Sequence, residues 1–166
     1  MKVSGFTFLR NGQKLGYPFV ASIRSLLPLV DEFVIALGPC DDDTEKMVRA
    51  IADPKIRIIP TTWNEQMRGD YSVGGFVYGQ QKSIALFNCT GDWAFYLEAD
   101  EVLHENDLPK IRAALAFDYR HFYGKKPPSR GRRAGIATRC ASFATLSVSE
   151  LERPKLPALQ AADDSL

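Results

Sequence analysis

The chain has 166 residues, enough for one ordinary domain with a real core and too few for two full ones. Hydrophobic residues make up 45% and charged residues 25%, with a net charge of +1, which argues against a disordered or membrane-embedded chain and names no charged partner. No apolar run approaches the roughly 20 residues of a spanning helix, and three scattered cysteines with no CxxC pair or secretory leader point to the cytoplasm, with any membrane association peripheral.

In chain order, "KVSGFTFLRNG" is β-branched and aromatic and stops at a turn signal near Asn11 and Gly12, so it predicts a first strand. From Pro18, the residues Phe19, Val20, Ile23, Leu26 and Leu27 recur at helical spacing until Pro28 closes the run. "DEFVIALG" is a continuous apolar stretch of the kind found in a strand buried on both faces of a parallel sheet. After "PCDDDT", Thr44 can cap a helix over "EKMVRAIA", with Met47, Val48 and Ile51 on one face. "KIRIIPTTW" predicts a third strand that Pro60 breaks or places at an edge. The polar, glycine-containing stretch from Asn64 to Gly75 reads as a loop, "FVYGQQKSIALFNC" as a helix ending before Gly91 and Asp92, and "WAFYL" as a fourth strand. "ENDLPKIRAALA" follows as a short helix and "FDYRHFYG" as a strand-like piece.

Alternating strands and helices favour an α/β fold, a mainly parallel sheet with helices on both faces. Ligands of such sheets bind outside the carboxyl ends of the strands. Three polar clusters fall there: Arg10 and Asn11, Asp41 to Asp43, and Glu98 to Glu101. Glu98 and Asp100 are two apart, so in an extended segment they share a side and can share a cation. Mg²⁺ and Mn²⁺ favour such hard oxygen ligands, and a diphosphate would complete the site. Taken alone, the acids read equally as a solvated turn before a helix, and Asp41 to Asp43 as turn and N-cap residues.

The order of these pieces resembles the family 2-like glycosyltransferases of the GT-A (Rossmann-like) fold. The resemblance rests on "VSGFTFLRNG", "DEFVIALGPCDDDT" and above all "CTGDWAFYLEADEVLHE", and covers about residues 3 to 123. It implies a nucleotide-sugar donor and a glycan, lipid or protein acceptor, with no nucleic-acid partner. Glu98 and Asp100 then match the Asp-x-Asp motif, with Glu in the first position, and would hold Mn²⁺ or Mg²⁺ against the diphosphate. The resemblance further implies that Thr7, Arg10 and Asn11 touch the nucleotide, that Asp42 or Asp43 binds the nucleoside, and that Gln81 and Lys82 lie near the donor. His121 in "RHFYG" is a candidate late metal ligand, whereas His104 beside apolar residues reads as a packed or surface side chain.

The chain departs from the family after Tyr123. From Gly124 to Leu166 the composition turns to Arg, Ala, Ser and Pro, with eight basic and four acidic residues and Phe143 as its one aromatic. An inverting transfer needs a base within reach of the acceptor hydroxyl, and Glu150, Glu152, Asp163 and Asp164 lie in no clear element that would position one. The tail reads either as a basic, low-order extension that attracts anionic lipid or nucleic acid, or as unrelated sequence after loss of the reading frame, leaving an incomplete enzyme; the abruptness of the change favours the second. Two other readings of the acids stand beside the transferase: a noncatalytic donor-binding remnant, and a Mg²⁺-dependent phosphoryl or nucleotidyl transfer enzyme. The lack of a GxxxxGK[ST] loop counts against an NTPase.

Overall fold

A computed structural model of the chain describes residues 1–64 and 71–123, the side chains of 71–74 and 117–123 excepted. The elements run β1 (Val3–Leu9), α1 (Phe19–Leu26), β2 (Glu32–Leu37), α2 (Thr44–Arg49), β3 (Ile56–Pro60), α3 (Tyr71–Phe87), β4 (Trp93–Tyr96), a 3-10 turn (Glu105–Asp107) and α4 (Leu108–Tyr123). The four strands form one sheet in the order β3-β2-β1-β4, every pairing parallel. This is the α/β architecture expected, with β2 central and buried from Phe33 to Leu37 and the Pro60-bearing β3 at an edge. Proline is tolerated there because an edge strand leaves one side without a ladder partner.

Strand alternation divides the side chains between two cores. Val3 and Leu9 of β1, Phe33, Ile35 and Leu37 of β2 and Trp93 of β4 pack with Phe19, Ile23 and Leu26 of α1, Val48 of α2, and Ile111 and Leu115 of α4. On the opposite face Phe6, Val34 and Ala36 meet Ala85 of α3, with Phe8, Ile59, Ile84 and Tyr96 around them. Helices therefore cover both faces of the sheet.

Three local expectations are corrected. "FDYRHFY" is not strand-like: α4 runs on through it to Tyr123. Ile111 and Leu115, one turn apart, anchor a helix already nucleated on the sheet, and its propagation outweighs a β propensity that is strong only where a sheet neighbour exists. Likewise α3 begins at Tyr71 and absorbs Gly74 and Gly75, each costing about 1 kcal/mol relative to alanine; Val77, Gln81 and Ala85, all buried, tie that helix down. Phe87, at its carboxyl end, is 72% exposed. Finally, Thr44 does not cap α2. The Asp42 carboxylate accepts from the Thr44 amide at 3.0 Å, and the Thr44 hydroxyl accepts instead from the Gln13 amide at 3.0 Å. The expected low-order tail, 124–166, lies outside the described residues, as do 65–70 of the expected loop.

The amino ends of the strands are held by one carboxylate. Glu32 Oε1 accepts from Ser4 Oγ at 2.6 Å, from the Thr90 amide at 2.5 Å and from Thr90 Oγ1 at 2.9 Å, while Lys2 and Arg57 lie 3.6 and 3.9 Å from Oε2. Gly91 makes this closure sterically possible: a Cβ there would sit 2.8 Å from the Ser4 amide nitrogen and 2.9 Å from the Lys2 carbonyl oxygen. Burial raises the Glu32 carboxyl, but the hydrogen bonds from Ser4 and Thr90 and the Lys2 charge outweigh it and leave it below the ordinary value. A depressed carboxyl contributes stability that is present above its unfolded pKa of about 4.3 and disappears as pH falls through the folded value. Glu32→Gln is therefore expected to cost about 2 kcal/mol at pH 7, from charge-assisted bonds lost or weakened, and less as the pH drops below about 4. Urea unfolding of both proteins from pH 7 to 3 checks it; a difference that stays constant across that range contradicts it.

Candidate functional site

The order β3-β2-β1-β4 means that the chain winds from β1 toward one edge and then returns to β1's other side. The carboxyl ends of β1 and β4 thus flank a topological switch point, where the diverging connections leave a crevice. A cleft of about 580 Å³ opens there. Its floor comes from Phe8 to Asn11 at the end of β1 and from Tyr96, Glu98, Ala99 and Asp100 at the end of β4, its walls from Lys14, Leu15 and Tyr17 of the β1–α1 loop, Trp63 after β3, and Tyr78, Gly79 and Lys82 of α3.

One wall is aromatic. Phe8 lies 6.1 Å from Trp63, 6.0 Å from Tyr78 and 6.4 Å from Tyr96 between ring centroids, and Trp63 meets Tyr78 edge-on at 5.6 Å. Gly38 at the exit of β2 is what admits the indole, since a Cβ there would overlap the Trp63 ring nitrogen. Two cations lie on this wall. The Arg10 guanidinium stacks 5.5 Å from the Trp63 ring centroid, its Nε donating to the Pro39 carbonyl at 3.1 Å. Lys82 Nζ sits 3.6 Å from the centroid of Tyr96. Burial lowers the Lys82 ammonium pKa, with the Glu98 and Glu101 charges opposing the shift. The Tyr96 phenol is pushed far up by burial, by the negative charges of Glu98 and Glu101, and by its hydrogen bond to Glu98, so it stays protonated and donates. The cleft thus joins π faces, fixed cations and, at its lip, the exposed carboxylates Glu98 and Asp100.

Of the residues singled out in sequence, Arg10, Asn11, Lys82, Glu98 and Asp100 line this cleft. The other described ones do not line it. Thr7 is buried on the same side of β1 as Val3 and Leu9, away from the aromatic wall. Gln81 is wholly buried, its Nε2 donating to the Thr62 carbonyl at 2.9 Å, with Oε1 unpartnered among the described residues. Asp42 faces the β1–α1 loop: Oδ2 accepts from the Lys14 amide at 2.9 Å and Oδ1 from Thr44. Burial acts to raise the Asp42 carboxyl, and the bonds from Thr44 and Lys14 hold it below the ordinary range. Asp43 is exposed at the start of α2, its amide donating to Gln13 Oε1 at 3.0 Å. The His121 side chain lies outside the described residues, and His104 caps the 3-10 turn, Nδ1 accepting from the Asn106 amide at 3.2 Å. Lys14, Trp63 and Tyr78 are cleft residues that sequence reasoning missed. Their signal was positional: Trp63 stands three residues beyond β3 on the same rim, and Tyr78 precedes Lys82 by one helical turn.

The donor set at the lip fits a hard divalent cation held partly by a ligand. Mg²⁺ and Mn²⁺ sites commonly use one or two carboxylates together with substrate phosphates. Among the described residues no cluster of three or more Asp, Glu, His or Cys could hold a metal by itself, and Glu101 turns its carboxylate back to accept from the Glu98 amide at 3.1 Å. Two carboxylates at the mouth of an otherwise cationic cleft are what a shared metal–diphosphate site needs, and too few for an all-protein cage.

No family model matches the sequence, and no curated protein matches it. Solved structures do. TarS 1–349 of S. aureus in complex with UDP is similar over 73% of this chain and 33% of its own length, with a TM-score of 0.53 at 19% identity. A second structure of TarS 1–349 gives 0.50 over 77% and 38% at 19% identity, and one of TarS gives 0.51 over 78% and 23% at 18%. TarS is a family 2 glycosyltransferase. The likeness establishes the fold, a GT-A-like α/β fold with a mainly parallel sheet. The chain spans about a third of the TarS 1–349 structures it matches.

Proposed function

We propose that this GT-A-like chain binds a nucleoside diphosphate sugar in the cleft between β1 and β4 and serves glycosyl transfer from it. The observation that carries the reading is the convergence at the switch point of an aromatic wall, the cations Arg10 and Lys82, and the paired carboxylates Glu98 and Asp100. A nucleotide needs those three chemistries: a π face for the base, positive charge for the diphosphate, and hard oxygens for the cation that accompanies it. TarS, which shares the fold, has been crystallised with UDP. Glu98 and Asp100 would hold Mn²⁺ or Mg²⁺, which supplies Lewis-acid stabilisation of the leaving diphosphate. Arg10 and Asn11 belong to the nucleotide side, and Lys82, desolvated against Tyr96, to the diphosphate. A cytoplasmic location belongs to the same proposal.

One observation favours a second reading, donor binding without transfer. The carboxylates lining the cleft among the described residues are Glu98 and Asp100, both allotted to the cation, which leaves no general base for an acceptor hydroxyl. Incubation with a panel of UDP- and GDP-sugars and Mn²⁺, with release of nucleoside diphosphate as the readout, tests the two. Release supports the enzyme; tight binding without release supports the second reading; neither binding nor release contradicts both.

A further inference from the structure

The β1–α1 and β2–α2 loops are sewn together by reciprocal hydrogen bonds. Asn11 stands in the left-handed region at φ 50°, a conformation asparagine tolerates better than most residues, and its Oδ1 accepts from the Asp41 amide at 2.9 Å. Gln13 donates its amide to Thr44 Oγ1 and accepts the Asp43 amide on Oε1, both at 3.0 Å. Asp42 completes the seam by bridging the Lys14 and Thr44 amides, one with each carboxylate oxygen. Lys14, Leu15 and Tyr17 line the cleft; Asp42 does not. The Lys14–Asp41 ion pair, both side chains more than 60% exposed, adds little to this.

We infer that Asp42 acts on the cleft through this loop: it is a positioning residue that fixes the wall formed by Lys14, Leu15 and Tyr17, and not a ligand of the nucleoside. Charge-assisted bonds to backbone amides are the strong kind, and both oxygens of Asp42 are already engaged by them. A carboxylate turned to take a ribose hydroxyl would release the Lys14 or the Thr44 amide. The same seam gives Gln13 a role, since it ties the loop to the first turn of α2 from the other side. The inference rests on the nucleotide reading of the cleft.

Asp42→Asn separates the possibilities without dismantling the fold. Asparagine still accepts from the Thr44 amide through its amide oxygen, while its NH₂ group meets the Lys14 N–H donor to donor and breaks the bridge. Two measurements on the full chain decide. Hydrogen exchange of the Lys14 amide is expected to accelerate in Asp42→Asn with no ligand present; unchanged exchange overturns the inference. Affinity for UDP with Mn²⁺ is expected to fall about tenfold in Asp42→Asn, and to fall no further when the same change is made in a Lys14→Ala, Leu15→Ala, Tyr17→Ala background, because the wall it positions is already gone. Losses that multiply across the two backgrounds show that Asp42 touches the nucleotide itself and overturn the inference. A wild-type chain that binds no nucleotide overturns the functional reading instead, and the exchange measurement then decides alone whether Asp42 holds the loop.

Discussion

Asp100→Ala is expected to reduce Mn²⁺-supported nucleotide affinity by about 3 kcal/mol, roughly a factor of 100, while leaving the unfolding free energy within about 0.5 kcal/mol of wild type. The binding loss is large because a cation shared between two carboxylates and a diphosphate loses half its protein ligands. The stability effect is small because Asp100 is exposed at the lip and belongs to neither core. Glu98→Ala carries a mixed signature, since Glu98 also hydrogen-bonds the half-buried Tyr96 phenol. Titration calorimetry with and without Mn²⁺ distinguishes the two variants. Equal losses in the absence of metal would show that the carboxylates act on the nucleotide directly.

Phe33→Ala is expected to have the largest effect on the fold, about 3–5 kcal/mol. Phe33 is completely buried on β2, and its ring lies so close to β1 that a Cβ on Gly5 would come within 2.9 Å of it. Truncation leaves a cavity between the strand and α1, whose Leu26 also reaches that spot at 3.1 Å. The surrounding backbone is held by parallel ladders on both sides of β2 and cannot collapse to fill it. Phe87→Ala, the same substitution on the exposed end of α3, is expected to change stability by less than about 0.5 kcal/mol. Urea unfolding gives both numbers, and a Phe33→Ala cost near that of Phe87→Ala contradicts the placement of the core.

The strands were legible because their signals are local. The unbroken apolar run of β2 has no other use than burial on two faces, and Pro60 marks β3 as an edge in any sheet that contains it. Glu98 and Asp100 were legible for the same reason: their place directly after β4 fixes their rim. The bond from Lys14 to Asp42 was not, because Lys14 lies 28 residues away in a loop whose path no periodicity encodes. Of the two acids that sequence offered as nucleoside ligands, Asp42 accepts from two backbone amides in the structure. Gln81 was placed near the donor by its helix, but one residue corresponds to about 100° of rotation, which turns Lys82 to the cleft and Gln81 to the sheet. Trp63 and Tyr78 carry no mark distinguishing a ligand-facing aromatic from a core one; only the meeting of three elements at one rim makes them a wall. "FDYRHFY" misled because aromatic content measures fitness for a sheet surface, and among the described residues no strand lies beside it to supply one.

The central claim is that the cleft between β1 and β4 holds a nucleoside diphosphate with a divalent cation, and calorimetric titration of the full chain with UDP, GDP and the other nucleoside diphosphates in the presence of Mn²⁺ tests it most directly. The account predicts saturable one-to-one binding for at least one nucleotide, weakened by removal of Mn²⁺ and by Asp100→Ala. No binding heat from any of them, or binding that ignores both the cation and Asp100, contradicts it.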